Sequence, residues 1–273
     1  MAIFDSSSST SHFDLRAINF NEDYVTRTSG TFLNDRNLVV NGHVYEDILV
    51  NSFVQTTAER SDEFYGTGIT VSNTGSVTAG TLNAMYSWYR SDAHPQWAYS
   101  LAFDDFSISA VAFDKAQRTS TTTDDQALIS QMLSGADTII LSTLADYMEG
   151  RGGNDTIRGG LGADTLLGGV GKDDLRGGAG SDRLIGNTGG DTLTGGAGNS
   201  KDMFVFDDTS GADRITDFQD GVDRIEITSG ATAFRQLTVT DKGLDVLVEF
   251  GNSSILIQNL EPAAVTEADF LFT

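Results

Sequence analysis

The chain has 273 residues and no cysteine, and its 39 acidic against 17 basic residues give a net charge of −22 at pH 7. Neither a disulfide framework nor a thiolate metal site can therefore stabilise the fold. The acidic balance disfavours nucleic acid and anionic membrane surfaces as partners and favours cations. The sequence has no apolar run long enough for a transmembrane helix, so membrane insertion is not expected.

Residues 1–104 are predicted to form a β-rich domain, either a sheet or a small sandwich. Alternating or apolar stretches such as NLVVNGHVYEDILVNSF and GITVSNTGSVTAG are separated by Asn, Gly and Ser, as expected for strands joined by turns. The first residues, MAIFDSSSSTSHFD, have neither the basic nor the apolar region of a Sec-type signal peptide. Export of this protein would therefore use another route.

Residues 105–135 are predicted to be a helical connector. One face of a first short helix, behind possible caps at Asp105 and Ser107, carries Ile108, Val111, Ala112 and Lys115. After the polar segment RTSTTT, the apolar stripe of a second helix consists of Leu128, Ile129, Met132 and Leu133. These helices are placed to cover the open end of the repeat structure that follows, whose edges need protection.

Residues 136–205 contain a nine-residue repeat. One aspartate occurs in each unit, at Asp137, Asp146, Asp155, Asp164, Asp173, Asp182 and Asp191. An apolar residue follows two positions later, at Ile139, Met148, Ile157, Leu166, Leu175, Leu184 and Leu193. The units before residue 150 lack most of the repeat glycines, and at the other end a two-residue shift brings Asp202 and Phe204 into the equivalent positions. Degenerate terminal units are typical of repeat proteins.

The consensus of these units, G-G-x-G-x-D-x-U-x, resembles the RTX nonapeptide repeat of hemolysin-type calcium-binding proteins. The resemblance implies a parallel β-roll with two units per coil, in which six residues form a turn and x-U-x forms a short strand with U pointing inward. The expected fold class is thus mainly β: a β-rich first domain with short helices, then a calcium-binding parallel β-roll, then a C-terminal β cap.

Several calcium ions are the expected cofactor of the roll. Calcium takes oxygen ligands from carboxylates and backbone carbonyls, and glycine allows the turns to bring carbonyl groups close to an ion. Without calcium, stacked carboxylates would repel one another and the glycine-rich turns would be disordered. The predicted metal-site residues are Gly150, Gly152, Asn154, Asp155, Gly159, Leu161, Ala163, Asp164, Gly168, Gly169, Gly171, Asp173, Gly177, Gly178, Gly180, Asp182, Gly189, Asp191 and Asp202.

Residues 206–273 are predicted to form the β cap. The elements DMFVFDD, DRITDF and GVDRI resemble the end of the C-terminal calcium-binding domain of serralysin-type secreted proteases. The final Asp269, Phe270, Leu271 and Phe272 resemble the ending of proteins exported by bacterial type I secretion. The resemblance implies a secreted, extracellular or cell-surface bacterial protein that an ABC-type secretion machinery exports unfolded and that calcium folds outside the cell.

No catalytic motif accompanies the repeats. The three histidines, His12, His43 and His94, are too far apart for the H-E-x-x-H motif of the proteases in this family. The G-x-S-x-G motif of lipases is also missing from the sequence. Neither protease nor lipase activity is therefore supported.

The first domain leaves two function classes open. Tyr86, Trp88, Tyr89, Trp97 and Tyr99 either fill a sheet core, which their strand preference favours, or form an exposed face that stacks on a surface polysaccharide. The favoured class is a non-catalytic surface, adhesion or matrix protein. The alternative is a polysaccharide-acting enzyme with paired carboxylates drawn from Glu22, Asp23, Glu46 and Asp47.

Overall fold

The computed structural model describes residues 127, 130–141, 143–196 and 198–273 with their side chains, and the strands between residues 3 and 109 as backbone alone. The chain divides into two compact units, Met1–Ser9 with Arg16–Leu133 and Thr10–Leu15 with Ser134–Thr273. Within the described residues, no helix has both the length and the apolar character needed to cross a membrane.

The first unit contains an antiparallel sheet. Its strands are β1 (Ile3–Asp5), β2 (Ser29–Leu33), β3 (Leu38–Val40), β4 (His43–Tyr45), β5 (Asp47–Gln55), β6 (Ala58–Val71), β7 (Val77–Ser91), β8 (His94–Asp104) and β9 (Ile108–Ser109). The sheet has the order β2-β5-β6-β7-β8-β1, with β9 paired to β7, while β3 and β4 form a separate antiparallel pair. The predicted β character of this part of the chain is confirmed.

The connector differs from its prediction where the structure describes it. Ile108 and Ser109 pair with Leu82 and Thr81 as strand β9, although the helical spacing predicts a first helical turn there. Cross-strand pairing outweighs a local helical pattern of this kind. The remainder of the first predicted helix, together with residues 128 and 129 of the second, lies outside the described residues. Met132 is helical and buried.

The second unit is a parallel β-roll. Its strands are β10 (Thr138–Ile140), β11 (Tyr147–Gly152), β12 (Thr156–Leu161), β13 (Thr165–Gly171), β14 (Asp174–Ala179), β15 (Arg183–Gly189), β16 (Thr192–Thr194), β17 (Met203–Phe206), β18 (Ala212–Ile215), β19 (Arg224–Ile227), β20 (Thr238–Asp241), β21 (Val246–Phe250), β22 (Ser253–Ile257) and β23 (Phe270–Phe272). Short 3-10 helices occupy Phe234–Gln236, Pro262–Ala264 and Glu267–Asp269.

Alternate strands of the roll belong to two sheets. The first roll sheet has the order β10-β12-β14-β16-β18-β22, all parallel, and β21 and β20 extend it by antiparallel pairing. The second roll sheet has the order β11-β13-β15-β17-β19-β23, all parallel. Strands that pair within the regular repeats are 18 residues apart, because two nonapeptides complete one coil.

The register places the repeat's apolar residues in two buried columns between the sheets. One column runs through Ile139, Ile157, Leu175, Leu193 and Ile215. The other runs through Met148, Leu166, Leu184, Phe204 and Ile225. All ten side chains are completely buried. One aliphatic or aromatic side chain per unit therefore fills the interior, and the pairing of Leu184 with Phe204 confirms the two-residue shift.

The strands and the roll are both longer than the sequence pattern suggests. The regular strands have six or seven residues rather than three, because parallel pairing continues past the corner of each coil, for example from Gly160 to Gly178. The predicted boundary of the roll lies at residue 205, whereas parallel pairing continues through β18, β19, β22 and β23. Longer connections between the later strands hide this continuity from a nine-residue pattern.

Replacement of Leu175 by alanine should destabilise the calcium-loaded protein by about 2–5 kcal/mol, because the fully buried side chain leaves a cavity in its column. Urea unfolding followed by circular dichroism in saturating calcium measures this free energy. Leu161→Ala is the matched control, since Leu161 lies in the adjacent coil and is 53% exposed. Equal losses for the two variants would contradict the inward column.

Candidate metal centre

Two ladders of buried aspartates run along the two edges of the roll. The first ladder consists of Asp137, Asp155, Asp173, Asp191 and Asp213, and the second of Asp146, Asp164, Asp182, Asp202 and Asp223. Every member is at least 96% buried. Such burial is rare for aspartate unless the carboxylate is hydrogen-bonded or bound to metal.

One oxygen of each carboxylate after the first in a ladder is held by the preceding coil. The Asp173 Oδ1 accepts a hydrogen bond from the Asp155 backbone N–H at 2.8 Å, and the Asp155 Oδ1 accepts one from Asp137 at the same distance. The same bond recurs in both ladders and lengthens only to 2.9–3.0 Å at their C-terminal ends. The backbone of one coil thus fixes the carboxylates of the next.

The other carboxylate oxygen has no hydrogen-bond partner. This applies to the buried Oδ2 atoms of Asp155, Asp164, Asp173, Asp182, Asp191 and Asp213. A buried polar atom without a partner is strongly unfavourable, and an anionic one more so. A repeated row of such atoms indicates that each oxygen serves a cationic ligand.

The first glycine of each unit faces this oxygen. A Cβ on Gly168 would overlap the Asp173 Oδ2 and approach the Gly186 carbonyl oxygen, one coil further on, to 2.8 Å. A Cβ on Gly177 would likewise overlap the Asp182 Oδ2 and lie 2.6 Å from the Gly195 carbonyl oxygen. A carboxylate oxygen and a carbonyl oxygen from adjacent coils therefore converge beside each of these glycines.

The turns also need glycine for their backbone conformation. Gly171 has φ +147° and Gly180 φ +136°, which side chains rarely adopt. A Cβ at either position would overlap the carbonyl group of the glycine 18 residues earlier. Stacked turns can approach this closely only without side chains, and the approach aligns their carbonyl groups along the edge of the roll.

Burial makes the ladder carboxylates from Asp155 to Asp223 hard to ionise. It raises the pKa of Asp155, Asp164 and Asp213 from 3.8 to about 7, against the effect of the hydrogen bond from the preceding coil. It raises the pKa of Asp191 and Asp202 to about 6. Neighbouring aspartates of the same ladder raise each of these pKa values further.

The donor set fits calcium. In the part of the chain described with side chains, no three Asp, Glu or His side chains converge on one point. An ion at the ladders would therefore need backbone carbonyl groups as further ligands, as calcium commonly uses. The residues that would hold calcium are the ladder aspartates, through Oδ2, and the turn glycines, through their carbonyl groups. When bound, calcium supplies the positive charge that the buried carboxylates lack.

The predicted site residues lie where the turns stack, but their side chains differ in role. The predicted aspartates, Asp155, Asp164, Asp173, Asp182, Asp191 and Asp202, all belong to the two ladders. The Asn154 Oδ1 accepts a hydrogen bond from the Lys172 backbone N–H, so this side chain links two turns. Leu161 and Ala163 expose their side chains and could offer only carbonyl groups. Calcium ligation by the individual residues stays a prediction.

Sequence reasoning missed the last members of both ladders, Asp213 and Asp223. Both lie beyond the regular repeats, where the connections are longer by several residues. A signal was available, because Asp213 and Asp223 each stand two positions before a buried isoleucine, Ile215 and Ile225, as in the repeat. Gly186 and Gly195, absent from the predicted site, also lie against Asp191 and Asp202.

The candidate residues of the first unit cannot be placed in a site. Glu22, Asp23 and Glu46 lie outside the described residues, and Asp47 is described only as the first backbone position of β5. The aromatic residues of segment 86–99 lie on β7 and β8, with Trp88 opposite Tyr99 in the pairing register. Their side chains are outside the described part of the structure, so the two interpretations of this segment stay open.

Comparisons with known proteins match the roll. A family model described as the RTX calcium-binding nonapeptide repeat (4 copies) matches residues 133–166, 141–175 and 167–201. No curated protein matches the sequence. The crystal structure of the extracellular lipase LipA from Serratia marcescens is 17% identical with a TM-score of 0.30, covering 51% of this chain and 38% of the lipase. The solution structure of the AlgE6R3 subunit of the Azotobacter vinelandii mannuronan C5-epimerase is 22% identical with a TM-score of 0.33, covering 50% of this chain and 78% of that subunit.

The family match and the geometry agree on one segment. The match covers the coils that supply the ladder aspartates from Asp137 to Asp191. This chain spans only about two fifths of the length of the lipase with which it was compared. RTX repeats bind calcium and are typical of secreted bacterial proteins. Residues 133–201 are therefore RTX calcium-binding nonapeptide repeats, and the protein carries a parallel β-roll of this type.

Proposed function

We propose that this is a secreted bacterial calcium-binding protein whose roll folds when calcium binds outside the cell. The observation that carries the proposal is the row of buried Oδ2 atoms without partners. An unfolded chain hydrates these carboxylates, whereas the folded roll removes them from water and stacks them one coil apart. Folding of the roll therefore needs a cation to compensate the charge of the buried carboxylates.

The energetics favour a cooperative transition. An ion that binds only the folded state adds RT ln(1 + [L]/Kd) to its stability, which is about 2.7 kcal/mol at a hundredfold excess over Kd. Each site takes oxygens from adjacent coils, as the pairing of the Asp173 Oδ2 with the Gly186 carbonyl indicates. Binding at one site therefore orders the turn that the next site needs.

The predicted export segment, Asp269–Phe272, is part of the folded roll, which supports export before folding. Phe270–Phe272 form β23, Phe270 is buried, and it pairs with Ile225 of β19. In the folded roll, this segment is therefore paired with β19 as a strand of the second roll sheet. We infer that an ABC-type secretion machinery binds it before calcium folds the roll, which keeps the low-calcium cytosolic form competent for export.

The proposed role of the exported protein is non-catalytic, in surface contact, adhesion or the extracellular matrix. The sequence contains neither H-E-x-x-H nor G-x-S-x-G. The buried aspartates of the second unit belong to the ladders, except Asp269, whose Oδ2 accepts hydrogen bonds from Thr266. From Asp155 onward, each ladder Oδ1 accepts a hydrogen bond from a backbone N–H. These observations support binding rather than turnover.

Calcium titration of the chelator-treated full-length protein tests the folding role. We expect a cooperative gain of far-ultraviolet β signal with calcium, together with bound heat in calorimetry, and little change with the same concentration of magnesium, which demands a more regular oxygen shell. A full β signal in chelator, without calcium binding on addition, would contradict the proposed function.

A further inference from the structure

The first roll sheet carries a cavity on its outer side, next to Asp191 and Asp213 of the first ladder. Its volume is about 290 Å³, at the lower end of the range for small-molecule sites. We call it the outer groove. Its lining consists of Gly190, Asp191, Thr192, Ala212, Asp213, Arg214, Leu247, Ser254 and Leu256.

The groove lies on one continuous row of outward residues. The pairing register places Thr192 beside Arg214, Arg214 beside Leu256, and Leu256 beside Leu247. Asp191 and Asp213 alternate with these positions and are buried, so their side chains point to the interior. They contribute backbone to the groove, while the outward residues contribute side chains.

Small residues make the depression, and a lysine borders it. Gly190 and Ala212 stand two positions before Thr192 and Arg214, and neither has a side chain larger than a methyl group to fill the space beside them. The Lys172 side chain reaches over Gly190, since a Cβ at Gly190 would lie 3.9 Å from the Lys172 Cε. The ammonium group of Lys172 therefore lies near the edge of the groove.

Both cations at the groove are uncommitted. Several other arginines of the roll have acidic partners; for example, Arg176 pairs with Asp174 at 2.7 Å and Arg183 with Glu226 at 2.7 Å. Within residues 143–196 and 198–273, the side chains of Arg214 and Lys172 form neither an ion pair nor a hydrogen bond. In so acidic a chain, two unpaired cations at one cavity indicate an anionic ligand.

The remaining walls favour a ligand with an apolar face and hydroxyl groups. Leu247 and Leu256 supply an apolar surface, while Thr192 and Ser254 supply hydroxyl groups. Glu249 stands beside Ser254 on the same outer side and is exposed, so it can accept a hydrogen bond from a ligand hydroxyl. Its charge opposes a second anionic group at that end.

We propose that the outer groove binds a single uronic acid residue of an extracellular polysaccharide. The sugar carboxylate contacts Arg214 and Lys172, an apolar ring face packs on Leu247 and Leu256, and ring hydroxyls face Thr192, Ser254 and Glu249. The net charge of −22 disfavours a dense polyanion but leaves a single carboxylate at a local pair of cations favourable. This proposal rests on the proposed function in one respect: calcium folds the roll that carries the groove.

Binding of D-galacturonate to the calcium-loaded full-length protein tests the groove, with D-galactose as the ligand that lacks only the carboxylate function. We expect nuclear magnetic resonance titration to show galacturonate binding at least about tenfold more tightly than galactose. Arg214→Gln should weaken galacturonate binding by about tenfold or more, and Lys172→Gln should weaken it by a smaller factor. Arg235→Gln, an exposed arginine in the 3-10 helix Phe234–Gln236, is the matched control and should bind as the unaltered protein does.

Each outcome decides for or against the site. Equal affinity for the two sugars, no binding of galacturonate, or equal effects of the Arg214 and Arg235 variants would overturn it. Circular dichroism of the same samples with and without calcium keeps the two proposals apart. A roll that is folded in chelator contradicts calcium-driven folding, while galacturonate binding to that folded roll still decides the groove.

Discussion

Asparagine in place of Asp173 is expected to raise the calcium concentration needed for half-maximal folding by about tenfold or more, because ligand charge tunes calcium affinity. Asparagine keeps an Oδ1 that accepts the Asp155 N–H, so the hydrogen bond of the ladder survives. It replaces the partnerless Oδ2 by an amide nitrogen, which cannot ligate calcium. The substitution therefore separates the structural oxygen of the carboxylate from its metal-binding oxygen.

Asp174→Asn is the matched control for this variant. Asp174 is the next residue along the chain, is partly exposed, and pairs with Arg176 on the outside of the first roll sheet. Surface ion pairs of this kind contribute about 0–1 kcal/mol, so the calcium midpoint should hardly move. Calcium titrations of both variants by circular dichroism give the comparison. Equal midpoints for Asp173→Asn and the unaltered protein would exclude Asp173 as a calcium ligand.

The calcium-free roll is expected to be folded near pH 4.5 and to unfold as the pH rises to 7. Burial raises the pKa of Asp155, Asp164 and Asp213 from 3.8 to about 7 and that of Asp191 and Asp202 to about 6. A raised folded-state pKa means that the folded form binds more protons than the unfolded form between these values. The stability is therefore fully present below pH 3.8 and is lost as the pH rises through about 6–7.

Circular dichroism of the metal-free protein between pH 4 and 8 measures this loss, and calcium at pH 7 should reverse it. Salt at pH 7 is the control, because it screens repulsion between surface charges but leaves the buried carboxylates dehydrated. Refolding by salt alone at pH 7 would assign the transition to the general charge of −22. A calcium-free roll equally folded at pH 4.5 and pH 7 would contradict the role of the ladders.

Calcium affinity should show the matching pH dependence. Because calcium requires ionised carboxylates, its binding near pH 6 displaces protons from groups such as Asp191 and Asp202, whose pKa values burial raises to about 6. Affinity should consequently fall as the pH decreases below about 7. The two ligands of the ladders, protons and calcium, thus compete for the same oxygens.

The sequence by itself determined the regular part of the roll. A strict nine-residue period with glycine, aspartate and one apolar residue at set positions carries the resemblance to the RTX repeat. That resemblance implies the coil of two units, which stacks Asp155 on Asp173 and Ile157 on Leu175. The oxygen chemistry of calcium then follows from the residue types. Even the shift at Asp202 could be predicted, since it displaces an aspartate and an apolar residue together.

Only the tertiary structure determined the features that lie outside the regular nine-residue repeats. Asp213 and Asp223 enter the ladders only because parallel pairing persists across connections of irregular length, and β9 is a strand because β7 offers it a partner. The outer groove depends on neighbours that come from distant segments, with Arg214 beside Leu256. Local pattern specifies a structure where each unit contacts a copy of itself, whereas contacts between unlike segments depend on the whole fold.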